Sequence, residues 1–177
     1  MKLPIVLLAA AAVWAQPPLK SVTAVTTAEK PALSFAVMAD LEKQLDDKVS
    51  MAGGAPPMQL LGPARALYLP GYGAVVTQEV SVIVTPTITP FHQSISPKEV
   101  AQVHQQKAAR LPLMRQTIKD MWTHTANTLN MVPNNEQIVV AVRLLYKSWE
   151  DTNGLPGQIT LKGSRSAGIA GAQMDEQ

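Results

Sequence analysis

Three histidines, a pair of adjacent carboxylates and a run of cations are the side chains here that could move protons, hold a metal or meet an anion. The histidines are His92, His104 and His124. A zinc site needs several imidazole, thiolate or carboxylate donors brought together, and paired ligands are usually one helical turn apart. His104 and His124 are 20 residues apart, about 200° around a continuous helix, and neither His-Glu-x-x-His nor His-x-His occurs. Cysteine is absent, which removes thiolate ligands, a thiol nucleophile and disulfides. No metal and no cofactor is expected.

Hydrolytic chemistry needs an activated nucleophile or two carboxylates set apart across a cleft. Ser94 and Ser96 lie near His92, but no Gly-x-Ser-x-Gly elbow is present and helix capping is the plainer role for Ser96. Glu150 and Asp151 are adjacent after Trp149, as carboxylates solvating a loop often are. Gly53-Gly54 follows a helix and precedes a strand, the reverse of a phosphate cradle. Gly71-Tyr72-Gly73 has the look of a channel filter, but the flanking membrane helices that such a filter needs are missing. The triplet reads as a turn, with Tyr72 as a candidate contact residue. Lys98, Lys107, Arg110, Arg115 and Lys119 share one segment whose only acid is Glu99. Five charges over six turns suit a solvated helix face. Lys107, Arg110 and Arg115 are the candidates from it for an anionic partner.

The elements that must position these residues follow from periodicity. Residues 16–30 form an extended leader, since threonine, valine and proline disfavour helix. Pro31 opens a helix over residues 31–48, with Leu33, Ala36, Val37, Leu41 and Leu45 at helical spacing. Short strands are expected at residues 58–61 and 66–69. From Ala74 to Val84 the residues alternate, with Val76, Val80, Val82 and Val84 on the buried face. Ser96, Pro97 and Glu99 spell a capping box. The helix they open carries Val100, Val103, Leu111, Met114, Ile118, Met121, Trp122 and Leu129 as its apolar stripe, and Pro112 should kink or split it. Residues 138–146 are apolar on both faces, as a central strand is, and Ile159 and Leu161 mark the returning strand. The expected fold is a single α+β domain over residues 31–163. It has a mainly antiparallel sheet of about four strands, with the N-terminal helix and the long Pro-kinked helix on one face. Residues 164–177, rich in glycine, alanine and serine, read as a flexible tail.

Residues 1–15 form a secretory signal peptide. Lys2 supplies the positive start, residues 5–13 the apolar run, and Val13-Trp14-Ala15 the small-residue site that places cleavage between Ala15 and Gln16. The apolar run is about half of what a spanning helix needs, and no later segment is apolar enough, so no transmembrane segment is expected after removal. The remaining 162 residues carry 14 basic and 13 acidic side chains. That balance provides no field to draw in nucleic acid. Aromatic residues make up 5% of the chain, too few for a base- or sugar-stacking platform.

The stretch from Leu61 to Val84, beginning Leu-Gly-Pro-Ala-Arg-Ala-Leu-Tyr-Leu-Pro-Gly-Tyr-Gly-Ala-Val-Val, and the stretch Val-Ala-Val-Arg-Leu-Leu-Tyr-Lys-Ser-Trp-Glu-Asp from Val140 resemble segments of a group of exported bacterial proteins of unknown function. The resemblance implies bacterial export and a single domain, and carries no site residues. The expected role is that of a periplasmic or secreted, non-catalytic binding or structural module whose partner is an envelope component or protein. The alternative is a periplasmic hydrolase whose site assembles only in the fold. Mass analysis of the protein recovered from its host should find Gln16 at the N-terminus; recovery of intact Met1 in the cytosol would sink the export reading.

Overall fold

A computed structural model describes residues 33–54, 57–91 and 94–177. His92, Pro31, the signal segment with Ala15 and Gln16, and the leader lie outside the described residues. The first helix, α1, is Phe35–Ala52. It begins after Ser34, whose hydroxyl accepts from the Val37 N–H at 3.3 Å. Its buried residues are Leu41, Leu45 and Val49, four apart on one face. Ala36 and Val37, expected on that face, are exposed, because they belong to a first turn that extends beyond the core.

Strands β1 (Gln59–Leu60), β2 (Arg65–Leu69) and β3 (Gly73–Ser81) follow. β1 and β2 pair side by side along the same edge of β3, both antiparallel. On β3, Ala74, Val76 and Val80 are buried, while Thr77 and Glu79 are exposed. The strand stops at Ser81. Val82 and Ile83 remain buried, but Val84, expected inside, is 61% exposed, since the chain has left the sheet by then and the alternation no longer applies.

The second helix, α2, is Pro97–Thr128 and carries the expected capping box: Ser96 Oγ accepts from Glu99 N–H, and Glu99 Oε2 accepts from Ser96 N–H at 2.8 Å. It runs through Pro112 as one helix of 32 residues. The helix is not split: the proline forfeits a single backbone bond, and the helix packs on the core on both sides of it, at Leu111 and Met114. Thr117 and Thr125 also lie in the buried stripe. Their hydroxyls donate to the carbonyls of Leu113 and Met121, at 2.9 and 2.8 Å, which satisfies them without a partner elsewhere.

Strand β4 (Gln137–Leu144) pairs parallel with β3 on one side and antiparallel with β5 (Gln158–Ser164) on the other. It is the central strand, as expected from its two apolar faces. Residues 164–177, expected as a flexible tail, are ordered. Two short 3-10 turns lead into β6 (Gln173–Glu176), which pairs antiparallel with β5. Among the described residues the sheet therefore has six strands and is mixed, with β3–β4 as its one parallel pairing. Both helices pack on the face bearing Val76, Val80, Ile138, Val140, Val142, Ile159 and Leu161. Trp122 is pinned there by its indole N–H, which donates to the Ile138 carbonyl at 2.8 Å. This is a single α+β domain, and among the described residues no helix is long and apolar enough to cross a membrane.

The β2–β3 turn is Pro70-Gly71-Tyr72. Tyr72 N–H donates to Leu69 O at 3.0 Å, and Gly71 has φ +83°, the combination of proline then glycine that a type II turn favours. Gly73, φ +135°, lies so close to β4 that an added Cβ would stand 1.8 Å from the Gln137 carbonyl oxygen. Two substitutions separate strain from collision. Gly71→Ala, with open space around it, should cost about 1–2 kcal/mol for the backbone angle alone. Gly73→Ala should cost on the order of 3 kcal/mol or more, read as the difference in urea midpoint; equal losses would contradict the close approach.

Candidate functional site

Lys107, Arg110 and Arg115 of α2 are the first site candidates, and each of the three is engaged within the molecule. Lys107 was expected on a solvated face. It sits instead one turn after Val103 and one turn before Leu111 in the buried stripe, 1% exposed. Its ammonium pairs with the Glu150 carboxylate, donates to the Leu145 carbonyl at 3.2 Å, and lies 4.5 Å from the centre of the Tyr146 ring. A buried cation persists only when paired and hydrogen-bonded, and here one carboxylate, one carbonyl and one aromatic face do that. Burial, then the Glu150 charge, pushes the Tyr146 hydroxyl up to about 12, and it donates to the Pro156 carbonyl at 2.8 Å. A paired ammonium and a phenol held protonated present neither a base nor a nucleophile; they fasten the β4–β5 loop to α2.

Arg110 donates to the Gly53 carbonyl at 2.5 Å, joining α2 to the end of α1. Arg115 grips Glu176 through both oxygens, Nε to Oε1 at 2.5 Å and Nη2 to Oε2 at 2.9 Å. The hydrogen bond from Arg115 holds the Glu176 carboxyl below its ordinary value, against the opposing effect of burial. Thus Lys107, Arg110 and Arg115 tie α2 to three different segments instead of forming a common anion-binding face. That was hidden from the sequence because their partners lie 43, 57 and 61 residues away.

The remaining candidates do not meet. Tyr72 is 41% exposed at the turn preceding Gly73, and its carbonyl accepts from Gln137 N–H at 2.8 Å. Glu150 and Asp151 follow the far end of β4, about 25 Å away along eight extended residues. His104 Nδ1 is 3.0 Å from the Asp151 carbonyl. His124 Nε2 is 2.5 Å from Gln44 Oε1, and burial foremost, then Lys48, lowers its pKa against the pull of Asp40. His104 and His124 are thus each a local tie between elements. Among the described residues no group of three or more potential metal-binding side chains comes together.

The face of the sheet opposite the helices is the surface that sequence reasoning missed. Register lays its residues out in rows. Arg65, Thr77, Ala141 and Thr160 are neighbours across β2, β3, β4 and β5, and Glu79, Arg143 and Gln158 form the next row. Thr77 and Ala141 are short and make a floor. Arg65, Glu79, Arg143 and Gln158, with Gly62 and Pro63 closing the gap between β1 and β2, make the rim of a depression of about 360 Å³. Arg65 stands 3.6 Å from Glu42, and Arg143 stands 3.5 Å from Glu79. Further along the same face, Lys162 places its ammonium 5.7 Å from the centre of the Tyr72 ring, and Leu67 is 58% exposed. Individually these are the polar or outward positions of ordinary alternating strands; only the register shows that they adjoin.

Comparison of the chain with protein-family models, with curated proteins and with solved structures finds no match. The site must therefore be argued from its own chemistry.

The buried pair makes a sharp test of the structural role given to Lys107. Lys107→Met strands the Glu150 charge and should destabilise by about 3–5 kcal/mol. Adding Glu150→Leu should recover most of that loss, measured by urea denaturation of both variants. A solvated Lys107 would leave the single variant within about 0.5 kcal/mol of the parent.

Proposed function

We propose that this chain is exported, loses residues 1–15 by cleavage after Ala15, and acts in the bacterial periplasm or outside the cell as a non-catalytic binding module of the envelope. The export part rests on Lys2, the apolar run of residues 5–13 and the small-residue site ending at Ala15. The bacterial part rests on the resemblance of its two segments to exported bacterial proteins, together with the absence of cysteine.

The binding part is carried by one observation. The helices lie on one face of the sheet, and among the described residues the other face is open and bears a depression edged with charge, with the Tyr72 ring and the exposed Leu67 further along it. Proteins use such concave, mixed-polarity surfaces for recognition, whereas Lys107, Arg110 and Arg115 of α2 are spent on internal ties. A hydrolase reading needs Tyr72, His92, Glu150 and Asp151 in one pocket, and His92 lies outside the described residues. Among the described residues Tyr72 lies at one end of β4 and Glu150 with Asp151 beyond the other, which does not favour it.

The lack of cysteine makes the test direct. A single cysteine carrying a photo-crosslinker is placed at Leu67 or Thr160 on the open face, or at exposed Lys119 on α2, and illuminated in the native host. Adducts should form from Leu67→Cys and Thr160→Cys and be scarce from Lys119→Cys. Adducts from Lys119→Cys alone, or from no position, would reject the open face as the binding surface.

A further inference from the structure

The depression also indicates what kind of molecule it takes, and this step rests on the open face being the binding surface. Its two arginines stand on the strands either side of β3 and in adjacent rows: Arg143 beside Glu79 within the rim, and Arg65 on the outer strand, where its guanidinium reaches Glu42 of α1. Arg65 and Arg143 have side chains 70% and 64% exposed, and their carboxylate neighbours stand at 3.6 and 3.5 Å, beyond the usual 2.7–2.9 Å of a charge-assisted hydrogen bond. Loose ion pairs in water contribute little, so a ligand can exchange places with them at small cost. The guanidinium fork matches a carboxylate with two parallel hydrogen bonds. When Arg143 turns to a ligand carboxylate, Glu79 is left facing the floor without its cation and calls for a positive group in return.

The alternatives fit less well. A phosphate or other dianion would meet Glu42 and Glu79 beside both arginines and be repelled. A sugar would want an aromatic platform over the floor, and Tyr72 lies with Lys162 at the other end of the face. A volume of about 360 Å³ is near the lower end for ligand pockets, which suits something of dipeptide size. We infer that the depression bounded by Arg65, Glu79 and Arg143 binds a short peptide of dipeptide size with both termini free, its carboxylate on Arg143 and its ammonium on Glu79.

The probe is L-alanyl-L-alanine, followed by calorimetry and by amide shifts at Thr77 and Ala141 in the purified full chain. Saturable binding in the micromolar to millimolar range is expected. Arg143→Met and C-terminal amidation of the dipeptide should each weaken it by about tenfold or more. Glu79→Gln should weaken the free dipeptide while leaving its N-acetyl form unchanged, a pattern that general unfolding would not produce. Absence of binding at high millimolar dipeptide, or affinity indifferent to Arg143→Met, would overturn the inference. Crosslinking from Leu67→Cys in the host without any dipeptide affinity would discard the ligand class and keep the binding face. Dipeptide affinity without amide shifts at Thr77 and Ala141 would overturn the placement of the ligand on this face.

Discussion

Two strands that run the same way in one sheet cannot be joined by a turn, and the parallel pairing of β3 with β4 imposes that constraint on this chain. The chain must travel back the full length of the sheet before β4 begins. It does so as α2, whose 32 residues span about 48 Å, well beyond the reach of either strand. One consequence is that α2 covers a single face and sends cations to segments at several points along its length. Another is that the ends of β3 and β4 are fixed in space: the Tyr72 turn falls at one end of the sheet and the loop with Glu150 and Asp151 at the other. The open face exists because the crossover helix and α1 both settle on the same side.

Charge is used in this molecule mainly as fastening. Lys107 with Glu150, Arg110 with the carbonyl of Gly53, and Arg115 with Glu176 each connect α2 to a part of the chain that hydrophobic contact alone would hold loosely. Arg165 does the same where α2 ends. It donates to the carbonyls of Ala126 and Val132, at 3.3 and 3.0 Å, and to the Asn134 side chain at 2.8 Å, so the carbonyls leaving the helix are not stranded. These ties hold the C-terminal segment against the domain.

What could be read from the sequence was whatever is decided locally. The capping box at Ser96 and Glu99 depends on residues three apart, and the alternation of β4 on the pleat of one strand, so both are legible. The burial of Lys107 is not: a lysine in an apolar stripe looks like an interruption until its partner, 43 residues later, is folded against it. The strand at Gln173–Glu176 has little apolar content of its own. It forms because β5 offers an edge and Arg115 waits for Glu176, neither of which composition reveals. The depression was hidden for a related reason. Arg65, Glu79 and Arg143 belong to three strands, and only the register between those strands makes them adjacent.

The carboxylates of α1 have a further effect at the other margin of the sheet. Glu42 Oε1 accepts from the Ala66 N–H at 2.8 Å, and Asp46 Oδ1 accepts from the Ala64 N–H and the Gln78 side-chain amide, each at 2.7 Å. The backbone donors at and just before β2 that would otherwise project beyond the sheet are thereby occupied by side chains of its own helix. An edge with bare N–H groups is a template on which any extended segment can assemble, and a β-rich domain kept at high local concentration would risk stacking into larger aggregates. With the donors of Ala64 and Ala66 closed, this part of the margin offers less of a template for an added strand.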